Sequence, residues 1–190
     1  TPHVSGIVVS KQTGQPIPNA VISLSIRRPE GTEVKQAVTD ASGQFRLNAD
    51  VQDRPIGIKA KGYGFRLVQF PGGQKIVKGL RIELAPGVEV TGKVVDPAGN
   101  PIAHAKVGVI VGVSYGRIVV GETYTDEGGR YALSDLDPLL PYWIRADHPK
   151  YISDRRYSTD RSQRTFVPAI HGAEVPPLVL EPDSSPRPPV

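Results

Sequence analysis

Residues 6–20 of the chain read GIVVSKQTGQPIPNA, and residues 92–105 repeat the pattern as GKVVDPAGNPIAHA. A second pair of segments keeps the same spacing, with TDASGQFRL at residues 39–47 and TDEGGRYAL at residues 125–133. Self-similarity at a fixed spacing indicates that one structural unit occurs twice. We therefore predict one domain at residues 1–86 and another at residues 87–182, followed by a Pro-rich tail or linker at residues 183–190.

Between these signatures, apolar residues alternate with polar ones. The alternation turns six aliphatic side chains to one side of their strands: Ile22, Leu24, Ile26, Val107, Val109 and Val111. Period-2 runs bounded by Gly, Pro and Asp are typical of an antiparallel sandwich. Asp40 and Asp126, each three residues before a Gly, predict turns that close hairpins. The sequence predicts an all-β fold of two tandem antiparallel Greek-key β-sandwiches with about seven strands each. The first-copy strands are expected near residues 4–10, 20–27, 33–40, 44–48, 55–61, 65–70 and 79–85.

The composition excludes several kinds of site. The chain has no Cys, so it can form neither disulfides nor thiolate metal sites. No stretch approaches the roughly 18 consecutive apolar residues that a membrane span needs. The sequence begins with Thr1 and contains no Met, so we expect it to be part of a longer polypeptide.

The formal net charge of +4 is unevenly distributed. Residues 1–86 hold 12 Lys and Arg against 6 Asp and Glu, whereas the rest of the chain holds 11 against 13. A basic excess this small does not indicate a nucleic-acid partner.

The basic excess is concentrated between Arg54 and Arg81, where no acidic residue occurs. Basic residues with exposed aromatic neighbours can hold an acidic polysaccharide or another anionic surface. Lys59 and Lys61 are expected on the outward face, because Ile58 and Ala60 point inward. The candidate binding residues are Lys59, Lys61, Tyr63, Phe65 and Arg66. The alternative is an ordinary solvated face whose aromatic side chains belong to the core.

A hydrolase-like motif, GVSYG at residues 112–116, matches the nucleophile-elbow pattern. That elbow requires a helix after the turn, and the residues that follow here read as a strand. The motif therefore predicts a Gly-bounded hairpin. A longer polar stretch at residues 153–164 has no counterpart in the first copy, and the sequence assigns it no role.

The two repeated signatures resemble the carboxypeptidase regulatory-like domain, a family similar in fold to transthyretin and to the B-type repeats of bacterial surface adhesins. The resemblance covers nearly the whole chain, once per copy. It implies a non-catalytic structural or binding accessory module of a larger bacterial protein that is secreted, periplasmic or on the cell surface. The implied partners are neighbouring domains of the same polypeptide, a surface protein or a glycan, and the resemblance implies no catalytic residue and no cofactor.

The second copy also resembles the core of the intradiol dioxygenases, which hold iron with two Tyr and two His. Residues of these types are present as Tyr142, Tyr151, His148 and His171. The closely spaced His pair of that family is absent, and a metal site requires both ligand type and spacing to fit. We therefore expect two surface histidines and no metal, and keep a degenerate iron enzyme as an alternative function.

Overall fold

The structure, a computed structural model, describes residues 2–51, 54–70, 76–113, 116–152, 165–166 and 172–183. All helical or extended elements in these ranges are β-strands, which confirms the predicted all-β fold. The chain divides into a first unit, Thr1–Val88 with Asp135–Pro138, and a second unit, Glu89–Ser134 with Leu139–Val190. The predicted domain limits at residues 86 and 182 stay predictions.

The described residues of the first unit form seven strands arranged in two sheets. The strands are β1 (His3–Ser10), β2 (Val21–Arg28), β3 (Gly31–Val38), β4 (Gln44–Leu47), β5 (Ile56–Lys59), β6 (Arg66–Val68) and β7 (Ile76–Leu84). One sheet has the order β4-β1-β7, and the other has the order β3-β2-β5-β6. Each strand lies within a few residues of its predicted position.

The hydrophobic core of the first unit takes side chains from both sheets. Val4 and Val8 of β1 are fully buried, as are Ile22 and Leu24 of β2 and Ile58 of β5. Burying one such aliphatic side chain contributes about 1.5–3 kcal/mol to folding. Ile22, Leu24 and Ile58 face inward, as the alternation predicted.

One pairing in the first unit departs from the antiparallel pattern. Strands β1 and β7 run in parallel, with seven paired positions from His3↔Ile76 to Ser10↔Leu84. A register shift between Val4 and Gly6 interrupts the ladder. The chain passes through the other sheet before β7 returns beside β1. The first and last strands of the unit therefore lie side by side and run in the same direction.

The short segment Asp135–Pro138 belongs to the first unit although it is distant in sequence. Asp135 has a left-handed backbone with a φ of 59°. Its carboxylate Oδ1 accepts the N–H of Gly62 at 2.9 Å, and its carbonyl oxygen accepts the N–H of Phe65 at 3.0 Å. Residues 62–65 are thereby held by a segment that the repeat alignment did not assign to them.

The second unit is built from the remaining strands. They are β8 (Val88–Val95), β9 (Lys106–Val113), β10 (Gly116–Tyr124), β11 (Arg130–Leu136), β12 (Tyr142–Asp147), β13 (Tyr151–Ile152), β14 (Thr165–Phe166), β15 (Ala173–Glu174), β16 (Leu178–Val179) and β17 (Glu181–Pro182). The sheets have the orders β10-β9-β12-β14 and β11-β8-β15, and β16 pairs with β8 beside them. Strands β13 and β17 form a separate ribbon.

The two copies differ in the register of one strand. In the first copy, Ile58 pairs with Ile22. In the second copy, the counterpart of Ile22 is Val107. Ile144 pairs instead with Val109, the next inward residue along β9. The shift is two residues, and an even shift keeps inward side chains inward because strands have a period of two.

Candidate functional site

In each copy, the Thr of the repeated signature joins two loops through hydrogen bonds of its hydroxyl. Thr39 is buried; its hydroxyl donates to the Ile17 carbonyl at 2.7 Å and accepts the Ala20 N–H at 2.8 Å. Thr125 is bonded in the same way, to the Ile102 carbonyl at 2.7 Å and the Ala105 N–H at 2.8 Å. Both hydrogen-bonding functions of the hydroxyl are used inside the fold.

The Asp that follows each Thr closes a hairpin turn, as the sequence predicted. Asp40 Oδ1 accepts the Ser42 hydroxyl at 2.7 Å and the N–H groups of Ser42 and Gln44 at 2.9 Å. Hydrogen bonds from Ser42 and Gln44 hold the pKa of the Asp40 carboxyl below its usual value. Asp126 Oδ1 accepts the N–H groups of Gly128 and Arg130 at 2.9 and 2.8 Å. The repeated polar residues therefore build turns.

Two of the sequence-predicted binding residues lie where the sequence placed them. Lys59, the last residue of β5, and Lys61, in the turn after it, are both exposed. Ile58 before Lys59 and Ala60 between the two lysines are buried, as the alternation required. These two ammonium groups are available to a ligand in solution.

The other three candidates are dispersed. Arg66 is exposed but pairs with Ile58, and paired residues share a sheet face, so Arg66 lies on the face opposite Lys59. Phe65 is buried, and its ring edge lies 3.1 Å from a Cβ placed on Gly57. Tyr63 is half-buried and packs against the core. The expectation of exposed aromatic neighbours is therefore wrong for Phe65, because its ring fills the space above a residue without a side chain.

The residues that suggested an iron site are placed differently from one another. Tyr142 is completely buried, whereas His148 is half-buried and stacks edge-on against Tyr151 with ring centroids 5.1 Å apart. Burial lowers the pKa of His148, and the nearby Lys150 lowers it further. His171 lies outside the described residues. Across the part of the chain that the structure describes, no three His, Asp or Glu side chains cluster as metal ligands do.

The remaining sequence features are readily located. Gly112 is the residue before the last one of β9, and Gly116 is the first residue of β10. These two strands pair antiparallel. Ser114 and Tyr115, the centre of the hydrolase-like motif, lie outside the described residues, as do Lys75 of the basic run, the stretch at residues 153–164 and the tail at residues 184–190. None of the described segments forms a helix able to cross a membrane.

One sheet face in the second unit was not predicted from the sequence. Pairing places outward residues of β10, β9 and β12 in three successive rows: Tyr124, Lys106 and Asp147; Glu122, Gly108 and Arg145; Val119, Ile110 and Trp143. We call these nine residues the Trp143 face. The sequence does contain a signal for this face, because Trp143, Arg145 and Asp147 alternate with the inward residues of β12 and therefore share its outward side.

Two ion pairs lie on the Trp143 face, one between β9 and β10 and the other along β12. Lys106 Nζ lies 2.8 Å from Glu122 Oε1, and Arg145 Nε lies 2.6 Å from Asp147 Oδ2. The hydrogen bond that Lys106 donates to the Glu122 carboxylate raises the pKa of Lys106, so the ammonium stays protonated over a wider pH range. The rings at the ends of the face are Trp143, which is half-buried, and Tyr124, which is 63% exposed.

The sequence profile of the carboxypeptidase regulatory-like domain matches residues 3–77 and 89–167, which confirms the resemblance drawn from the two signatures. No curated protein matches the chain significantly.

Among solved structures, the TIE protein of Bacillus anthracis is 13% identical with a TM-score of 0.40; the match covers 95% of this chain and 34% of that one. A streptococcal ancillary pilin is 14% identical with a TM-score of 0.39, over 97% and 63% of the two chains. The shaft pilin SpaA of Lactobacillus rhamnosus GG is 10% identical with a TM-score of 0.38, over 98% and 100%. The chain thus spans about a third of the first of these proteins and less than two thirds of the second.

Proposed function

Since this chain belongs to the carboxypeptidase regulatory-like domain family, we propose that it is a non-catalytic, load-bearing spacer within a longer exported polypeptide. Its two sandwiches, at residues 1–86 and 87–182, hold neighbouring domains apart outside the cytoplasm, in the periplasm, on the cell surface or in a secreted protein. Family membership supports the accessory role, and the use of both Thr-Asp signatures in turns supports a structural one.

The observation that carries this proposal is the parallel pairing of the first and last strands of the first unit. Seven positions join β1 to β7. When neighbouring domains pull on the two ends of such a unit, the force acts along both strands in opposite directions. All the ladder hydrogen bonds are then loaded together instead of breaking one after another, which raises the barrier to forced unfolding.

The second unit repeats this geometry with a shorter ladder. Strand β8 pairs in parallel with β15 at Val90 and Thr91 and with β16 at Val94 and Val95. Fewer paired positions carry the load than in the first unit. The second unit is therefore expected to yield at the lower force.

Single-molecule stretching through handles at both ends of the chain tests the proposal. Two unfolding events are expected, the weaker from the second unit. Full extension of β1 to β7 releases roughly 280 Å, and that of β8 to β17 releases roughly 320 Å, so the two events are distinguishable by length.

The matched control changes only the direction of force. The chain has no Cys, so Lys11→Cys and Glu83→Cys provide unique handles near the same end of the β1–β7 ladder. Pulling there separates the strands one bond at a time, and the first unit should unfold at a clearly lower force. Equal forces in the two geometries would contradict a load-bearing role.

Enzyme activity is the outcome that the spacer role excludes. The purified chain, incubated with Fe²⁺ and catechol or with p-nitrophenyl acetate, should show no turnover above the buffer rate. Catechol cleavage that disappears in Tyr142→Phe or His148→Ala would favour the degenerate dioxygenase instead.

A second candidate function is the binding of an acidic polysaccharide by the first copy. Lys59, Lys61 and Arg66 are exposed, and none of the ion pairs found among the described residues includes them. Attraction between such groups and a polyanion is electrostatic and is screened by salt. Because Arg66 lies on the opposite sheet face from Lys59, a polyanion would have to pass around the edge strand β6 to reach all three.

A further inference from the structure

We propose that the Trp143 face of the second unit binds a neutral oligosaccharide or polysaccharide. This binding role is additional to load bearing and does not depend on it. It rests on three properties of the face: an open position at its centre, a set of charges that cancel, and aromatic rings at its two ends.

The centre of the Trp143 face is open. Among the residues that the structure describes, none has a heavy atom within 4 Å of a Cβ added to Gly108. Gly108 is flanked across the sheet by Glu122 on β10 and Arg145 on β12. A ligand group can therefore approach the backbone of β9 between a hydrogen-bond acceptor and a hydrogen-bond donor.

The charges of the face select a ligand that is polar but uncharged. Lys106 is paired with Glu122, and Arg145 with Asp147, so the four groups sum to zero. An anionic ligand would meet a carboxylate beside each cation, and a cationic ligand would meet a cation beside each carboxylate. Hydroxyl groups both donate and accept hydrogen bonds, so they can bond to either member of an existing ion pair.

Aromatic rings bound the face at both ends. The six-membered ring of Trp143 lies over Gly112, with its nearest carbon 3.4 Å from a Cβ placed there. The row of Tyr124 is four residues away along β9, roughly 13 Å at the rise of an extended strand. The C–H groups of a sugar ring carry a small positive charge and pack on the negative face of an aromatic ring. The spacing suits an elongated ligand with several sugar units.

The arrangement is the reverse of a protein-binding surface. Protein interfaces concentrate aromatic residues at a desolvated centre and exclude charged residues from it. Here the charged residues Glu122 and Arg145 flank Gly108 in the central row. Lys106 and Asp147 share one end row with Tyr124, and Trp143 lies at the other end. A chain of hydroxyl-bearing rings matches this order of groups better than a protein partner does.

Trp143 provides the measurement, because it is the chain's single Trp. The full chain is titrated with hydroxyethylcellulose, dextran and arabinoxylan, and with heparin as an anionic comparison, while Trp emission is recorded. Retardation in native gels containing each polysaccharide gives an independent affinity. At least one neutral polysaccharide should change the emission and retard the chain, with little dependence on salt.

Gly108→Val is the decisive variant, because it fills the open position without removing any contact. Valine suits a strand, so the variant should unfold at or above the wild-type temperature. Its affinity for the neutral polysaccharide should fall by at least about tenfold. Tyr124→Ala should weaken binding as well, whereas Val38→Ala, which changes the corresponding position of the first copy, should leave it unchanged.

Four results would overturn the proposal. The first is a chain that responds to none of the neutral polysaccharides. The second is a folded Gly108→Val variant that binds as tightly as the wild type. The third is self-association in sedimentation experiments that Gly108→Val abolishes, which would assign the face to a second copy of the chain. Retention by heparin alone would favour the basic residues of the first copy and also reject this proposal, whereas the stretching experiment is unaffected by any of these outcomes.

Discussion

The β3-β2-β5 sheet of the first unit and the β10-β9-β12 sheet of the second unit have similar inward faces and different outward faces. In the first unit the rows are Val38, Val21 and Lys59, then Gln36, Ser23 and Gly57. In the second unit the rows are Tyr124, Lys106 and Asp147, then Glu122, Gly108 and Arg145. The first face has a single charged group in these rows, and Phe65 covers Gly57.

The difference shows what a repeated sandwich leaves free to vary. The inward positions of both copies are aliphatic and buried, because the core fixes their size and polarity. Outward positions are under no such constraint and can carry a ligand-binding surface in one copy and a plain surface in the other. The copies share a fold and need not share a function.

The largest effect is expected where both copies require Gly for different reasons. A Cβ on Gly6 would overlap the carbonyl oxygen of Leu80 on the neighbouring strand β7, whereas a Cβ on Gly92 would overlap the Tyr131 side chain. Gly6→Ala should lower the free energy of unfolding by about 3 kcal/mol, since backbone cannot move aside, and Gly92→Ala by less, since a side chain can. Urea denaturation measures both. Gly108→Ala, at an open position, is the control; a smaller loss for Gly6→Ala than for Gly92→Ala would refute this account.

The next largest loss of stability is expected at the Thr that both copies share, and it should be equal in the two copies. Thr39→Val and Thr125→Val each keep the side-chain shape and leave one buried N–H and one buried carbonyl without a partner. Each should cost about 2 kcal/mol of unfolding free energy. Thr32→Val, at an exposed position of β3, should stay within about 0.5 kcal/mol of the wild type. Clearly unequal losses at Thr39 and Thr125 would show that the hydrogen bonds of this hydroxyl do not stabilise the two copies equally.

A gain in stability is expected at Tyr131, which replaces the Phe45 of the first copy. Its buried hydroxyl has no hydrogen-bond partner among the described residues, so Tyr131→Phe should stabilise the chain by about 1 kcal/mol. Burial also raises the pKa of Tyr131 to about 12, from 10 when unfolded. The folded state then binds more protons than the unfolded state, and stability falls as the pH rises from 10 towards 12.

This alkaline loss is measured by thermal unfolding at several pH values. Tyr131→Phe should remove it, and Tyr124→Phe, at an exposed ring, should leave it in place. An unchanged alkaline profile in Tyr131→Phe would assign the loss to other groups.

The smallest effect on stability is expected on the first copy's basic surface. Changing Lys59, Lys61 and Arg66 together to Gln should leave the unfolding temperature nearly unchanged, because substitutions at exposed positions usually stay within about 0.5 kcal/mol. If the surface holds polyanions, retention on an acidic polysaccharide column should fall at low salt and converge with the wild type near 0.1 M and above, where the Debye length is about 10 Å. Identical retention at low salt would leave the first copy without a binding role.

Much of the fold was predictable, because its signals are local. Alternation identified Ile22 and Leu24 as core residues, and the spacing of Asp40 and Gly43 indicated the turn that they form. The binding surface was less predictable. Phe65 follows basic residues in the sequence, and only the packing against Gly57 removes it from the surface. Arg66 and Lys59 are close in the sequence, but they lie on opposite faces of the sheet. The pairing of β6 with β5 decides which face Arg66 occupies.

The sequence by itself determined that one all-β unit occurs twice, which side chains face inward, and which residues close the turns, since each depends on neighbours within a few positions. Only the tertiary structure decided the parallel pairing of β1 with β7, the two-residue shift of β12, and the assembly of Trp143, Arg145, Glu122 and Tyr124 on one face. These depend on register between strands that are far apart in the chain. A period of two fixes which side of the sheet a residue occupies and leaves open which residue lies opposite it.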